Sequence, residues 1–418
     1  MFIDRVKVLW FSNCVLSQDV SRGSGSWLFA MRDLIKEDVE MVNVTEGNVD
    51  QIQHYCANGI CEYIVPQWAV KGGVPSIDNI NKIKVILKEE SPDLIHIWGT
   101  EKYWALLFCR NFISADNVLL EIQGVLTACC DVFYGGLTPL EFHRLISIKS
   151  LLFPCYSQKY ALNDYRKRSQ LEGEIVSHFK YVATQSQWTR EQLLLMCPPE
   201  TKYFQSLRPV RQDFVNADKW TPTNNKTPIV FCSYSYSTPF KGIHFLLKAI
   251  HLLVRRYPTI QLRIAGPMFM QKAFYRIGDY EHFLKSVIIR LKIENNVHFC
   301  GPLDAKQMIN EIHKADVVVN PSLVESYSAA AAEALSLGAP TVLAYAGAMP
   351  GFSQVKQIAL YYNPIDYRSL AAKIITLFVD NEIRDSLRHN AIEVMKRILN
   401  PDQVKKRQLE IYHEVIGK

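Results

Sequence analysis

Apolar residues along the chain fall into two alternating patterns. Short runs rich in aliphatic and aromatic residues end at Gly, Pro, Asn or Ser, and these predict strands. They run from Val6 to Phe11, Tyr63 to Val65, through the SPDLIHIWGT stretch ending at Thr100, and from Leu119 to Ile122. In the second half they run from Ile229 to Phe231, Leu262 to Ala265, Val297 to Gly301, Val317 to Val319, Thr341 to Ala344 and Leu360 to Tyr362. Between them, apolar positions recur three and four apart, which predicts helices. Examples are Leu28, Met31, Leu34 and Ile35, then stretches from Ile77 to Glu90, His244 to Val254, Met308 to Lys314, Leu370 to Phe378, and about Asp402 to Ile416. Strand–helix alternation in both halves predicts parallel sheets and an α/β fold. Between the halves, ADKWTPTNNKTP is rich in turn residues and poor in apolar ones, as a domain boundary is.

One junction carries the most chemistry: ADVVVNPSLVESYSAAAAEALSLG, from Ala315 to Gly338. The valine run is a strand, and Pro321-Ser322 ends it. Ser326 or Ser328 caps a helix that Ala329 to Ala332 favour and Gly338-Ala339-Pro340 stops. Glu325 and Glu333 therefore flank a helix N-terminus, whose unpaired N–H groups and partial positive charge suit phosphate. A nearby carboxylate can accept hydrogen bonds from sugar hydroxyls. Open α/β sheets bind ligands beyond the carboxyl ends of their strands, where this loop lies. A nucleotide-sugar has the matching ribose, pyrophosphate and hexose. An ordinary strand–helix unit with two surface glutamates fits the spacing equally well.

Composition narrows the classes. At 418 residues, with 48% hydrophobic and 21% charged residues, the chain can fill two domain cores. A net charge of +6 permits an anionic ligand or membrane surface and requires neither. No nucleic-acid signature accompanies it. The N-terminus lacks the apolar stretch of a signal peptide, and no run of about 18 uncharged apolar residues predicts a membrane span. Ten cysteines in such a chain predict reduced thiols in the cytosol. Cys56 and Cys61 flank the hairpin signal Asn58-Gly59; with His54 they invite a metal, but no second ligand pair follows. Cys129-Cys130 reads as packing. Gly23 and Gly25 precede the first helix, where glycine lets a ligand approach the backbone, although a plain loop fits as well. From Leu140 to Tyr160 the chain is apolar with scattered basic residues (His143, Arg144, Lys149, Lys159), followed by Tyr165-Arg166-Lys167-Arg168. This predicts either peripheral contact with an anionic membrane or a core helix followed by a solvated charge run.

The Glu325-x7-Glu333 spacing, with PS before it, ES-aromatic-S inside it and EALSLGAP after it, resembles the retaining glycosyltransferases of family 4. The resemblance is strong from Ile229 to Ile416 and weaker from Val6 to Arg190. It implies the GT-B fold: α/β, with two Rossmann-like domains facing across a cleft. The implied division is an acceptor-side domain (1–206), a linker (207–226), a donor domain (227–400) and a C-terminal helix (401–418) crossing back to the first domain. Tyr181 to Ser186 resembles that first domain's last strand. Glu325 is implied beside the donor sugar and Glu333 on the ribose. The Ser326, Tyr327 and Ser328 amides are implied on the pyrophosphate, with Gly266 and Cys300 near the nucleotide. Lys241 matches the family's phosphate-gripping lysine, so the implied catalytic groups are Glu325 and Lys241. Gly23 and Gly25 match a glycine-rich loop reaching toward donor phosphate and acceptor.

Two departures stand out. Gln123 occupies a position where many relatives have histidine, and glutamine cannot act as a base. Tyr236 stands where the family has an arginine, so a bidentate phosphate contact is missing. The implied function is retaining transfer of a hexose from a nucleotide diphosphate sugar to a glycan or lipid-linked acceptor in cell-surface polysaccharide biosynthesis. UDP is the expected nucleotide. No D-x-D is present, so neither metal nor other cofactor is expected, and the expected location is the cytoplasm, including its membrane face. The alternatives are a GT-B epimerase or phosphorylase-like enzyme, and a catalytically weak nucleotide-sugar binding or scaffold protein.

Overall fold

The computed structural model describes residues 5–17, 26–223, 225–235 and 237–417. Gly23, Gly25 and Tyr236 therefore lie outside the described residues. Eight strands form the first sheet: β1 (Lys7–Phe11), β2 (Glu40–Gly47), β3 (Gln53–Ala57), β4 (Ile60–Pro66), β5 (Leu94–Trp98), β6 (Val118–Ile122), β7 (Tyr181–Thr184) and β8 (Lys202–Gln205). Their order is β3-β4-β2-β1-β5-β6-β7-β8. All pairs are parallel except β3–β4, a hairpin turned by Asn58 and Gly59 in the left-handed region. Six parallel strands form the second sheet: β9 (Ile229–Ser233), β10 (Gln261–Ala265), β11 (Val297–Gly301), β12 (Val317–Asn320), β13 (Thr341–Ala344) and β14 (Leu360–Tyr362). Their order is β11-β10-β9-β12-β13-β14.

The direction of chain progression reverses beside β1 in one sheet and beside β9 in the other. The space beyond the carboxyl ends of β9 and β12, here the crevice, is the usual ligand position in such sheets. The central strands, such as β1, β5, β6, β9 and β13, are mostly buried on both faces, which explains their nearly continuous apolar character. Trp10, Trp98 and Trp104 fill the first core, and Phe231, Phe269 and Tyr280 the second.

The turn-rich segment after β8 is anchored, although its composition reads as a loose connection. Phe214 and Trp220 are buried in the core around the second sheet, and the Trp220 indole donates to the Ala315 carbonyl (2.9 Å). The helix Pro401–Ile416 packs on the first sheet. Its Tyr412 hydroxyl accepts from Trp10 Nε1 (2.9 Å) and lies 3.0 Å from His96 Nδ1. His96 is wholly buried, and burial pushes its pKa down.

Two expectations change. Cys56 and Cys61 are disulfide-bonded, because they sit directly opposite across the β3–β4 pair. The apolar stretch after Leu140 is not one helix. Caps at Thr138, Ser147 and Ser157, together with Pro154, break it into Pro139–His143, Ile148–Leu152 and the turn Pro154–Tyr156 before the long helix Gln158–Val176. Among the described residues no helix is long and apolar enough to cross a membrane.

Candidate functional site

At the end of β12, Asn320 organises the loop that follows. Its carbonyl oxygen accepts the Ser322 N–H (3.0 Å), and its amide donates to Ser328 Oγ (2.7 Å). The same Ser328 oxygen accepts the Ala331 N–H (3.3 Å), so the serine caps the helix Ala329–Ser336 from a left-handed conformation (φ 70°). The excursion 321–328 is thus tied at both ends by one asparagine.

Its flanks are equally fixed. Leu323 N–H donates to the Phe240 carbonyl (2.7 Å), and a side chain at Gly242 would overlap the Pro321 carbonyl oxygen. On the other side, Ala348 N–H donates to the Glu325 carbonyl (2.8 Å), and a Cβ on Gly347 (φ 56°) would strike that same backbone. Only glycine allows either approach. The loop after β9 therefore meets the loop after β12, and Lys241 Nζ lies 2.7 Å from Glu325 Oε1. Both side chains retain a small exposed face toward the crevice.

Glu333 is buried in the second turn of the capped helix and receives both arms of a guanidinium. Arg211 Nε donates to Oε1 (2.7 Å) and Nη2 to Oε2 (2.8 Å). Burial pushes the Glu333 carboxyl upward, and Arg211 draws it partly back. Arg211 also lines a cavity of about 540 Å³ between the helix Ser26–Ile35, the segment 209–215 and the start of the helix Ala305–Lys314.

The first sheet reaches this loop as well. Ser186, the cap of the helix Gln187–Leu193, donates to the Ser326 carbonyl (2.9 Å), as does Thr189 Oγ1 (3.3 Å). Arg208 crosses nearby. Its guanidinium lies 3.8 Å from the Trp27 ring centroid and 5.7 Å from that of Tyr327. Its Nε and Nη2 are shut off from solvent without a hydrogen-bond partner among the described residues, and burial lowers its pKa to about 10. The buried Tyr327 hydroxyl likewise has no partner there, and burial raises its pKa to about 12.

Of the residues singled out in the sequence, Lys241, Glu325, Ser326, Tyr327, Ser328 and Glu333 converge at the crevice. Gly266 follows β10 with its N–H on the Gly301 carbonyl (3.0 Å) and its Cα against the Tyr234 carbonyl. The Cys300 thiol faces Glu311 (3.9 Å), which is held by Arg263. Gln123 follows β6 on the opposite sheet, near Gly99 and Glu101. Sequence reading missed Arg208, Arg211, Ser186 and Thr189. The two arginines flank Pro209-Val210 in the segment read as linker, and that pairing of basic residues was the available signal.

With this geometry in view, comparison with known proteins is direct. Residues 215–394 match the family model described as Glycosyl transferases group 1. This part of the chain is a group 1 glycosyl transferase domain. D-inositol 3-phosphate glycosyltransferase of Corynebacterium efficiens is 26% identical over 161 residues, 37% of this chain and 36% of that protein. Glycogen synthase of Mycobacterium tuberculosis is 27% identical over 140 residues, covering 34% and 31%. The chain thus spans about a third of the length of the curated relatives it matches. Among solved structures, sucrose-phosphate synthase from Thermosynechococcus elongatus superposes with a TM-score of 0.72 over 99% of this chain and 100% of that one, at 15% identity. Anabaena Alr3699/HepE in complex with UDP and glucose gives 0.64 over 97% and 99%, at 17% identity. At these identities the likeness is one of fold. The two parallel sheets are the Rossmann-like pair of GT-B, and the group 1 domain supplies the crevice loops.

Proposed function

We propose that the chain is a retaining hexosyltransferase that takes its sugar from a nucleoside diphosphate, with UDP the carrier, and delivers it to a hydroxyl of a glycan or lipid-linked acceptor. The observation that carries this reading is the Lys241–Glu325 pair beside the Ser328-capped helix, with Glu333 buried one turn further on. This set offers a cation and helix-terminal amides for a diphosphate and two carboxylates for the hydroxyls of the hexose and ribose on either side of it.

In this reading residues 227–400 hold the donor, residues 1–206 present the acceptor, and 207–226 join them. Glu333 receives the ribose hydroxyls with Arg211 fixing its orientation, and the cavity beside Arg211 has room for the base. Lys241 and the helix amides meet the diphosphate. Arg208 supplies the guanidinium missing at position 236. Its donors without a partner among the described residues lie near Tyr327, in the loop where the phosphates would pass. Glu325 orients the hexose. The C1–oxygen bond to the diphosphate breaks while the acceptor oxygen bonds C1 on the same face. The acceptor's proton passes to the departing phosphate oxygen, so no protein base and no metal is called for. A role in cell-surface polysaccharide biosynthesis on the cytoplasmic side follows from such a donor and acceptor.

Calorimetric titration with UDP, GDP and ADP, first without metal and then with magnesium, tests the reading. The expected result is metal-free binding of UDP that disappears in Glu333→Ala. Failure of all three to bind at millimolar concentration would move the chain to a scaffold role. Donor conversion without acceptor would instead make it an epimerase.

A further inference from the structure

Between β6 and β7 the chain builds a platform that the donor crevice does not use. The helix Ile148–Leu152 and the turn Pro154–Tyr156 project outward, yet their base is rigid. One buried carboxylate holds both ends: Asp279, at the start of the helix Asp279–Leu291, accepts the Ser147 N–H on Oδ1 (2.9 Å) and the Gln158 N–H on Oδ2 (2.9 Å). Leu145 anchors the same segment in the core around the second sheet.

The outer side of this platform is apolar. Leu151 is 70% exposed, Leu152 68% and Phe153 57%, and Ile146, Ile148 and Tyr156 are also open to solvent. The turn Phe274–Arg276 packs alongside and adds exposed Tyr275. A cluster of large apolar side chains of this density is uncommon on a soluble surface. The charges around it share one sign. Residues 139–160 and 271–276 carry Arg144, Lys149, Lys159, Lys272 and Arg276. Their only acid, Glu141, is buried against Lys248 (2.7 Å). Lys149 Nζ lies 3.5 Å from the Tyr156 ring centroid, an ammonium held above an aromatic ring at the platform's edge.

We propose that this two-part surface docks on an anionic lipid bilayer. Leu151, Leu152 and Phe153 enter the headgroup boundary while the surrounding cations meet lipid phosphates. Charge selects this occupant. A second copy placed face to face would set the same cations against one another, whereas an anionic leaflet neutralises them. Asp279 ties the platform to the second half of the molecule, which carries the crevice loops, so the crevice is held at a set orientation to the bilayer.

The test is sedimentation of the full chain with vesicles of phosphatidylglycerol and phosphatidylcholine in equal parts, and with phosphatidylcholine alone, at low and high salt. Binding is expected on the anionic vesicles at low salt, weakened about tenfold or more by high salt or by neutral lipid. Leu152→Glu combined with Phe153→Glu is expected to lower partitioning at least about tenfold, with melting temperature and UDP affinity unchanged. Lys149→Glu with Lys159→Glu, which leaves the apolar tip intact, is expected to weaken binding in the same direction. No sedimentation at low salt would overturn the proposal, as would binding indifferent to both variants. So would a concentration-dependent dimer dissolved by the tip variant in the absence of lipid binding, which would assign the face to a second copy. Because partitioning is read without donor or acceptor, this result is independent of the proposed transferase activity.

Discussion

Arg211 clamps Glu333 through two parallel hydrogen bonds of 2.7 and 2.8 Å, although 122 residues separate them in the chain. The carboxylate is buried and its pKa is pushed up, so the pair holds a charge in a place that burial disfavours. Arg211→Met is expected to cost about 3 kcal/mol, because it strands a buried carboxylate. Glu333→Gln in the same background is expected to recover most of that loss, since an amide carries no charge to strand. Urea midpoints of the two variants check this. An Arg211→Met midpoint equal to that of the unmodified chain would show that the pair contributes nothing to stability.

Lys241 and Glu325 form a different kind of pair, made across two loops with each side chain still 17% exposed. Removing one partner of this mostly buried pair leaves a carboxylate that solvent still partly reaches, so Lys241→Ala is expected to cost about 1–2 kcal/mol, short of the penalty for a sealed pair. If the ammonium meets charge developing on a departing diphosphate, the same variant lowers kcat by roughly a hundredfold or more, with Lys241→Arg recovering part of the rate. Steady-state kinetics with a UDP-sugar separate the two effects. An unchanged kcat in folded Lys241→Ala would place Lys241 in the scaffold only.

The crevice loops were legible because their information is local. Pro321-Ser322 ends a valine strand, Ser328 caps an alanine helix, and the two glutamates lie on one short stretch. The donors that complete the site come from afar. Arg211, Arg208, Ser186 and Thr189 sit in segments whose own patterns say only turn or strand end, and their partners are fixed by how the two sheets meet. The region after Leu140 misled for a related reason. Its apolar content suggests a buried helix, but Ser147, Pro154 and Ser157 break it locally, and Asp279 of the other half decides where the pieces go. Cys56 and Cys61 show composition failing against geometry. A cysteine count predicts reduced thiols, whereas a hairpin register brings these two face to face.

Arg208 is the unusual cation of the site, with Nε and Nη2 buried beside Trp27 and Tyr327 and without a hydrogen-bond partner among the described residues. An unsatisfied guanidinium is unfavourable at rest, so Arg208→Gln is expected to leave stability unchanged or raise it. If the guanidinium awaits the diphosphate, UDP binds about tenfold more weakly to the variant while uridine is unaffected, because only the former carries the charge. Parallel titrations with the two ligands decide this. Equal loss for both would make Arg208 a wall of the pocket and return attention to position 236.

Glu172 predicts how the fold responds to pH. It is buried in the helix Gln158–Val176, accepting the Leu126 N–H (2.9 Å) and the Thr100 hydroxyl (3.2 Å), and burial raises its pKa from 4.5 to about 7. The folded state therefore favours the protonated acid more than the unfolded state does. Its contribution is fully present below about pH 4.5 and is lost as pH rises toward 7, a change on the order of 3 kcal/mol. Glu101, whose pKa burial also raises, works in the same direction, so one substitution leaves part of the slope. Glu172→Gln keeps a neutral group with an acceptor for Leu126 and is expected to flatten the decline between pH 4.5 and 7. Chemical denaturation at closely spaced pH values reads the difference. If the chain and the variant decline in parallel across that window, Glu172 is already ionised in the fold and its carboxylate is stabilised by the two hydrogen bonds alone.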